Sequence, residues 1–221
     1  MVPGIEMTMR VFEKTVSGGH DIRLLGLTVS GDGWNTALAT AAAQASSRSG
    51  SATLGFLDKT RLLATLFATV KTGASLSLRL LPSAGLFTRL LLRAASGKRA
   101  ETAVFSAASF VPALLTYLAN RHRIAIVSDD ATRRDALCAH FARHAPWHDV
   151  VPLAPAANVS GRLDLVIVDA ARQHDQNRII KALAGLDIGL VVLASNGLSG
   201  FIGGHPASTI SEPEQAKPIA A

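Results

Sequence analysis

One cysteine, one tyrosine and two tryptophans occur in 221 residues; aromatic residues make up 5% of the chain and charged ones 17%. A lone cysteine, Cys138, excludes an internal disulfide framework and suits a reducing compartment. Within "RRDALCAHFARH" it reads as a small residue on a helix face, because no His/Asn pattern accompanies it as a nucleophile would require. The sequence has no glycine-rich phosphate loop of standard spacing, no metal-ligand cluster, no serine nucleophile elbow and no HExxH. No stretch reaches the roughly 20 uncharged apolar residues that cross a bilayer. The N-terminal "MVPGIEMTMRVFEK" lacks the basic start, apolar run and small-residue cleavage site of a secretory signal. The expectation is a retained N-terminus and a cytoplasmic protein.

Against these absences stand 48% hydrophobic residues, enough for a sizeable core of aliphatic and alanine side chains, and a net charge of +6. Such a charge suits an anionic partner. From Lys71 to Arg99 the chain carries Lys71, Arg79, Arg89, Arg93, Lys98 and Arg99 with no acid, and leucines fill the gaps. This run reads either as a solvated basic helix face or as a leucine-rich surface that rests on anionic lipid, with Arg89 and Arg93 four residues apart on one face. Nucleic acid is not expected, since there is no aromatic interleaving, zinc pattern or helix-turn-helix.

Apolar runs alternate with helical periodicity along most of the chain. Strands are expected at 22–29, 51–57, 76–81, 123–127, 164–170 and 188–195, separated by helices that include "GWNTALATAAAQASSRS", 58–70, "LFTRLLLRAA", "FVPALLTYLANR" with Pro112 in its first turn, "TRRDALCAHFARHA" and "QNRIIKALAGL". Continuous apolar strands between helices imply an α/β fold: a single Rossmann-like domain with a mostly parallel sheet and helices on both faces. The domain is expected over 20–204, after an extension at 1–19 and before a proline-rich disordered tail at 205–221.

Ligands of such sheets gather beyond the carboxyl ends of the strands. Position therefore nominates Asp58, Ser83, Ser128, Asp129, Asp130, Asp169, Ser195 and Asn196. Asp, Ser and Asn in these places are also favoured helix N-caps. The stretch "LRLLPSAGLFTRLLLR" poses the question most directly, since Ser83 stands in a strand-to-helix turn where α/β enzymes mount a reactive group.

The order of the segments "IRLLGLTVS", "ATLGFLDKT", "RLLPSAGLF", "AVFSAASFVPALLTYLA", "RIAIVSDDATRRDALCAHFARHAP", "DLVIVDAARQHDQNRII" and "IGLVVLASNGLSGFIGG" resembles the WecG/TagA/CpsF glycosyltransferases over about residues 20–204. The resemblance implies sugar transfer from a nucleotide-diphosphate sugar to a lipid-linked glycan acceptor in bacterial exopolysaccharide or cell-surface glycan synthesis. It implies no metal and no further cofactor, a peripheral place at the inner face of the plasma membrane, and a homo- or hetero-oligomer. It puts Ser83 at the proposed catalytic aspartate and Asp58 at an asparagine, and it assigns nucleotide-sugar contacts to Ser128, Asp129, Asp169, Gln176, Asn196 and Gly197. The departures fall on polar positions: Ser83 with Ala84 replaces Asp-Gly, Ser128 and Asp129 replace a glycine pair, Asn177 replaces glutamate and Gly200 an aspartate. An unactivated serine is a poor base for the acceptor hydroxyl. The resemblance therefore leaves open a working enzyme, with Asp58 as an alternative base, and a pseudoenzyme that positions a partner. A receiver-like phosphoacceptor domain built on Asp129, Asp130 and Asp169 is a further alternative, as is a scaffold with no small-molecule site.

Overall fold

A computed structural model describes residues 21–24, 27–48, 50–57, 78–83, 104–155 and 159–202. Its elements are β1 (Asp21–Leu24), β2 (Leu27–Ser30), α1 (Trp34–Ser46), β3 (Ala52–Leu57), β4 (Leu78–Pro82), α2 (Ala107–Tyr117), β5 (Arg123–Ser128), α3 (Ala131–His144), β6 (Asp149–Pro152), β7 (Leu163–Asp169), α4 (Gln173–Leu183), β8 (Ile188–Leu193) and a 3-10 turn, Ser199–Phe201. The expected helices at 58–70 and over "LFTRLLLRAA", the extension at 1–19 and the tail at 205–221 lie outside the described residues.

The strands form one sheet in the order β1-β2-β4-β3-β8-β7-β5-β6. From β2 to β6 all neighbours are parallel, and β1 adds an antiparallel edge. This is the expected α/β, Rossmann-like architecture. Strands β5, β7 and β8 are buried almost throughout, as sheet centres covered on both faces require. Helices α1, α2 and α3 cover one face, with Phe110, Leu114 and Phe141 against Phe56, Ile126 and Ile167. On the other face α4 sets Ile179 and Leu183 among Val127, Val166, Val168 and Val191.

Three details differ from the sequence reading. The single strand expected at 22–29 is an antiparallel pair in which Asp21 faces Ser30 and Leu24 faces Leu27. The stretch "IRLLGLTV" reads as one strand because only Gly26 marks the reversal. Helix α2 starts at Ala107, so Pro112 lies in its second turn and not its first. Ser106 sets that earlier start by accepting the Ser109 amide at 3.2 Å. Finally, β6 was not anticipated: it is four residues long, ends in proline and pairs only with β5. Pro152 has no N–H to offer, which blunts this edge against further pairing.

Two polar devices hold the edge opposite the strand ends. Arg162 donates to the carbonyls of Ala45 and Ser47 at the end of α1 and pairs with Asp164 and Asp187, so its cation meets the negative end of the helix. Gly189 leaves room for it, because a Cβ there would come within 2.4 Å of the Ala45 carbonyl and 2.8 Å of the guanidinium. The second device is His148, buried at the start of β6. It receives the His122 amide on Nδ1 at 3.3 Å, so its Nε2–H donates to the Leu115 carbonyl at 2.8 Å. That is the neutral imidazole with both nitrogens satisfied.

Burial holds the His148 pKa below its ordinary 6.5; the Leu115 bond opposes this and nearby His122 adds to it. His140 is lowered too, by burial and then by His144 and Arg143. A histidine whose folded pKa is depressed binds its proton more readily in the unfolded chain, so its contribution is full above about pH 6.5 and is lost as pH falls below that. Denaturant unfolding from pH 8 to 5 is expected to show stability declining below about pH 6.5. In His148→Gln the decline is expected to be shallower, and an identical slope in wild type and variant would count against this role.

Candidate functional site

Because seven strands run parallel, their carboxyl ends share one edge, and the site is built there. The helices after β5 and β7 leave toward opposite faces of the sheet, which opens a crevice between these neighbouring strands. Ser128 and Asp169 close the two strands in register with one another.

Ser128 is buried, and its hydroxyl donates to Asp129 Oδ1 and receives the Asp130 amide, both at 3.3 Å. Asp130 accepts the Arg133 amide at 3.2 Å and caps α3. These are the turn and capping contacts that short polar residues make after a strand. Arg133, in the first turn of α3, then reaches over the crevice. Its Nη2 donates to Asp169 Oδ1 at 3.0 Å, and its Nε meets Asp169 Oδ2. Asp169 is wholly buried. Burial raises its pKa above 3.8 despite the hydrogen bond and charge of Arg133, and Asp129 adds to the rise. Desolvation thus outweighs the attraction of the pair, which is the usual balance for buried ions.

On the α4 side Gln176 points inward and is 2% exposed. Its amide donates to the Ala170 carbonyl at 2.7 Å and to Ser195 Oγ at 3.1 Å, which ties the end of β7 to the turn after β8. Ser195 has φ 55°, the left-handed region, and among the described residues no other non-glycine does. Such backbone costs about 1 to 3 kcal/mol and persists where its surroundings hold it. Asn196 is exposed next to it. Gly197 serves packing: a Cβ would come within 2.7 Å of Ala107 Cβ at the start of α2. This gives Gly197 a reason of its own, independent of any nucleotide. Asn177, next to Gln176, faces solvent and accepts from Gln173 at 3.1 Å.

Ser83 follows β4 on the same edge, two strands from β8, with β3 between them. It is half-buried and forms a parallel bridge with Phe105, whose amide donates to the Pro82 carbonyl at 2.9 Å. Beside it Trp34 stacks on Phe105 with centroids 5.3 Å apart, and Phe110 meets both rings edge-on. Ser83, Ser128, Asp169, Gln176, Asn196 and Gly197 therefore occupy one edge. The direct contacts join Ser128 with Asp129 and Gln176 with Ser195, while Asp169 binds Arg133. Asp58, Arg89 and Arg93 lie outside the described residues.

Two groups at this edge were missed in the sequence. Arg133 was one; its signal is an arginine three residues after an Asp N-cap, where a capping box would carry Glu or Gln. The other is Asp32 after β2, buried, which accepts from Ser30 Oγ at 2.8 Å and from Arg79 Nη2 at 3.1 Å. Arg79 accordingly belongs to an ion pair with Asp32 and not to a free basic surface. The residues of the receiver-like alternative are placed as follows. Asp130 is spent as a cap, Asp169 is sealed on Arg133, and among the described residues no three His, Cys, Asp or Glu side chains are grouped to hold a metal ion. Cys138 is buried on α3, and burial, then Asp135, push its thiol to about 11, as an inert helix-face residue requires.

No protein-family model matches the chain, and no curated protein matches it significantly. Among the described residues no helix is long and apolar enough to cross a membrane.

Breaking a buried pair from one side leaves an uncompensated charge. Arg133→Met is expected to lower stability by about 3 to 5 kcal/mol at pH 7, and by less in acid, where Asp169 takes a proton. Arg133→Met with Asp169→Leu is expected to recover most of that loss. Urea melts of the three proteins test this, and a double variant as unstable as the single one would contradict it.

Proposed function

We propose that the chain is a divergent WecG/TagA/CpsF-like protein of bacterial exopolysaccharide or cell-surface glycan synthesis, in which the transferase site persists as a frame while its chemistry is impaired. What carries this reading is the engagement of the carboxyl edge with itself. The carboxylate at the crevice, Asp169, is fully buried on Arg133 and is not available as a base. Ser83 stands where the resemblance sets the catalytic aspartate, and a serine hydroxyl is a far weaker base for the acceptor proton than a carboxylate. The diphosphate of a donor also meets a poor reception here. Arg133 is neutralised by Asp169, and Asp129 is exposed beside it.

The reading makes the protein a partner of glycan assembly that holds or positions an active enzyme, a nucleotide-diphosphate sugar or a lipid-linked acceptor. A peripheral site at the inner membrane face, with Arg89 and Arg93 on anionic lipid, belongs to the same proposal and is tested by vesicle flotation at rising salt.

Titration calorimetry and product assays against uridine nucleotide sugars, with and without Mg²⁺, examine the reading. The wild type is expected to show no turnover, while Ser83→Asp with Ala84→Gly is expected to give measurable donor hydrolysis or transfer. Loss of a general base accounts for roughly 10² to 10⁴ in rate. Wild-type turnover of about 1 s⁻¹, within the ordinary enzyme range, would show that Ser83 is not a dead position. Asp58→Asn would then ask whether Asp58 is the base.

A further inference from the structure

The edge opposite the candidate site carries an aromatic and basic surface that neither the fold nor the proposed function uses. Three large hydrophobic side chains are exposed among the described residues, and two of them, Tyr117 at 50% and Trp147 at 41%, come from the adjoining ends of α2 and α3. The indole N–H of Trp147 donates to the Leu118 carbonyl at 3.2 Å, so the ring is fixed before any partner arrives. His144 Nε2 lies 3.3 Å from both Thr116 Oγ1 and the Pro112 carbonyl, which ties the two helix ends into one surface.

Within the two helix ends the charged side chains have one sign. Residues 116–121 and 142–147 contain Arg121, Arg143 and His144, all exposed, and no acid. The nearby Asp149 on β6 pairs with Arg123 at 4.0 Å. Tryptophan, tyrosine and arginine together are the composition of interface hot spots. A pre-oriented ring also loses little entropy on binding. Trp147 is more than half covered and its polar handle is bonded inward, which suits packing under a partner's side chain better than insertion into a bilayer.

We propose that the ends of α2 and α3 form a docking surface for an acidic segment of a partner protein, with an apolar side chain of that segment covering Trp147 and its carboxylates meeting Arg121 and Arg143. The surface is independent of the carboxyl edge, so the proposal stands or falls apart from the reading of the site.

Random peptides displayed on phage, selected against the full chain, test it. Enriched sequences are expected to place Asp or Glu around an aromatic or aliphatic residue. Synthetic versions are expected to bind at least about tenfold more weakly to Trp147→Ala, to Tyr117→Ser and to Arg121→Glu with Arg143→Glu, and to weaken with salt. Tyr117→Ser and the charge reversal lie on exposed positions, so they keep the test valid if Trp147→Ala fails to fold. Enrichment without an acidic bias, or equal binding by wild type and the charge-reversed variant, overturns the proposal. So does wild-type capture by phosphatidylglycerol vesicles that the same substitutions abolish, which assigns the surface to lipid, or self-association that they abolish, which assigns it to a second copy.

Discussion

The carboxyl edge of the sheet depends on the ion pair between Arg133 and Asp169. Asp169 ends β7 at the point where neighbouring helices part toward opposite faces, and parallel sheets usually take their ligands there. In this chain an arginine from α3 enters that crevice first. A buried carboxylate without it would be an uncompensated charge; with it one hydrogen bond, from Arg133 Nη2 to Asp169 Oδ1, and the attraction of opposite charges hold the pair, while Arg133 Nε and Asp169 Oδ2 make no hydrogen bond. The same pair fixes the first turn of α3 against the end of β7, so the arrangement reads as structural closure of a place that α/β proteins keep open.

The rest of the edge follows from that closure. Asp130 and Ser128 start α3 and set Arg133 in reach, and Gln176 ties the end of β7 to the strained turn at Ser195. Gly197 lets that turn lie against Ala107, the first residue of α2. Helix α2 begins just beyond Phe105, which bridges Ser83. A continuous set of contacts thus links the ends of β5, β7 and β8, and packing extends it toward β4. The opposite edge is organised differently: Arg162 and His148 lock it from inside, and Tyr117 and Trp147 are left facing outward.

Much of this architecture was legible because burial on both faces leaves a direct mark. The runs "RIAIV", "DLVIVDA" and "IGLVVLAS" became β5, β7 and β8 nearly as read. Runs with weaker marks misled. In "IRLLGLTV" Gly26 alone marked the reversal between Leu24 and Leu27, and "DVVP" was too short to register as a strand. Ser128, Asp169 and Asn196 share one edge because parallel topology alone puts residues that follow strands there. Their partners were not legible. Arg133 meets Asp169 across 36 residues and Arg79 meets Asp32 across 47, and neither helical nor strand periodicity encodes such pairings. Asp130 had two meanings in the sequence, cap and chemistry, and only its bond to the Arg133 amide separates them.

The account rests on Asp169 being a buried, arginine-held carboxylate, and its titration is the direct measure. Carboxyl ¹³C shifts followed by NMR over the acid range report that group by itself. The account predicts that Asp169 titrates above the ordinary 3.8, because desolvation outweighs the pull of Arg133. An Asp169 that titrates at or below 3.8 would mean that desolvation does not outweigh the pull of Arg133 and would contradict it.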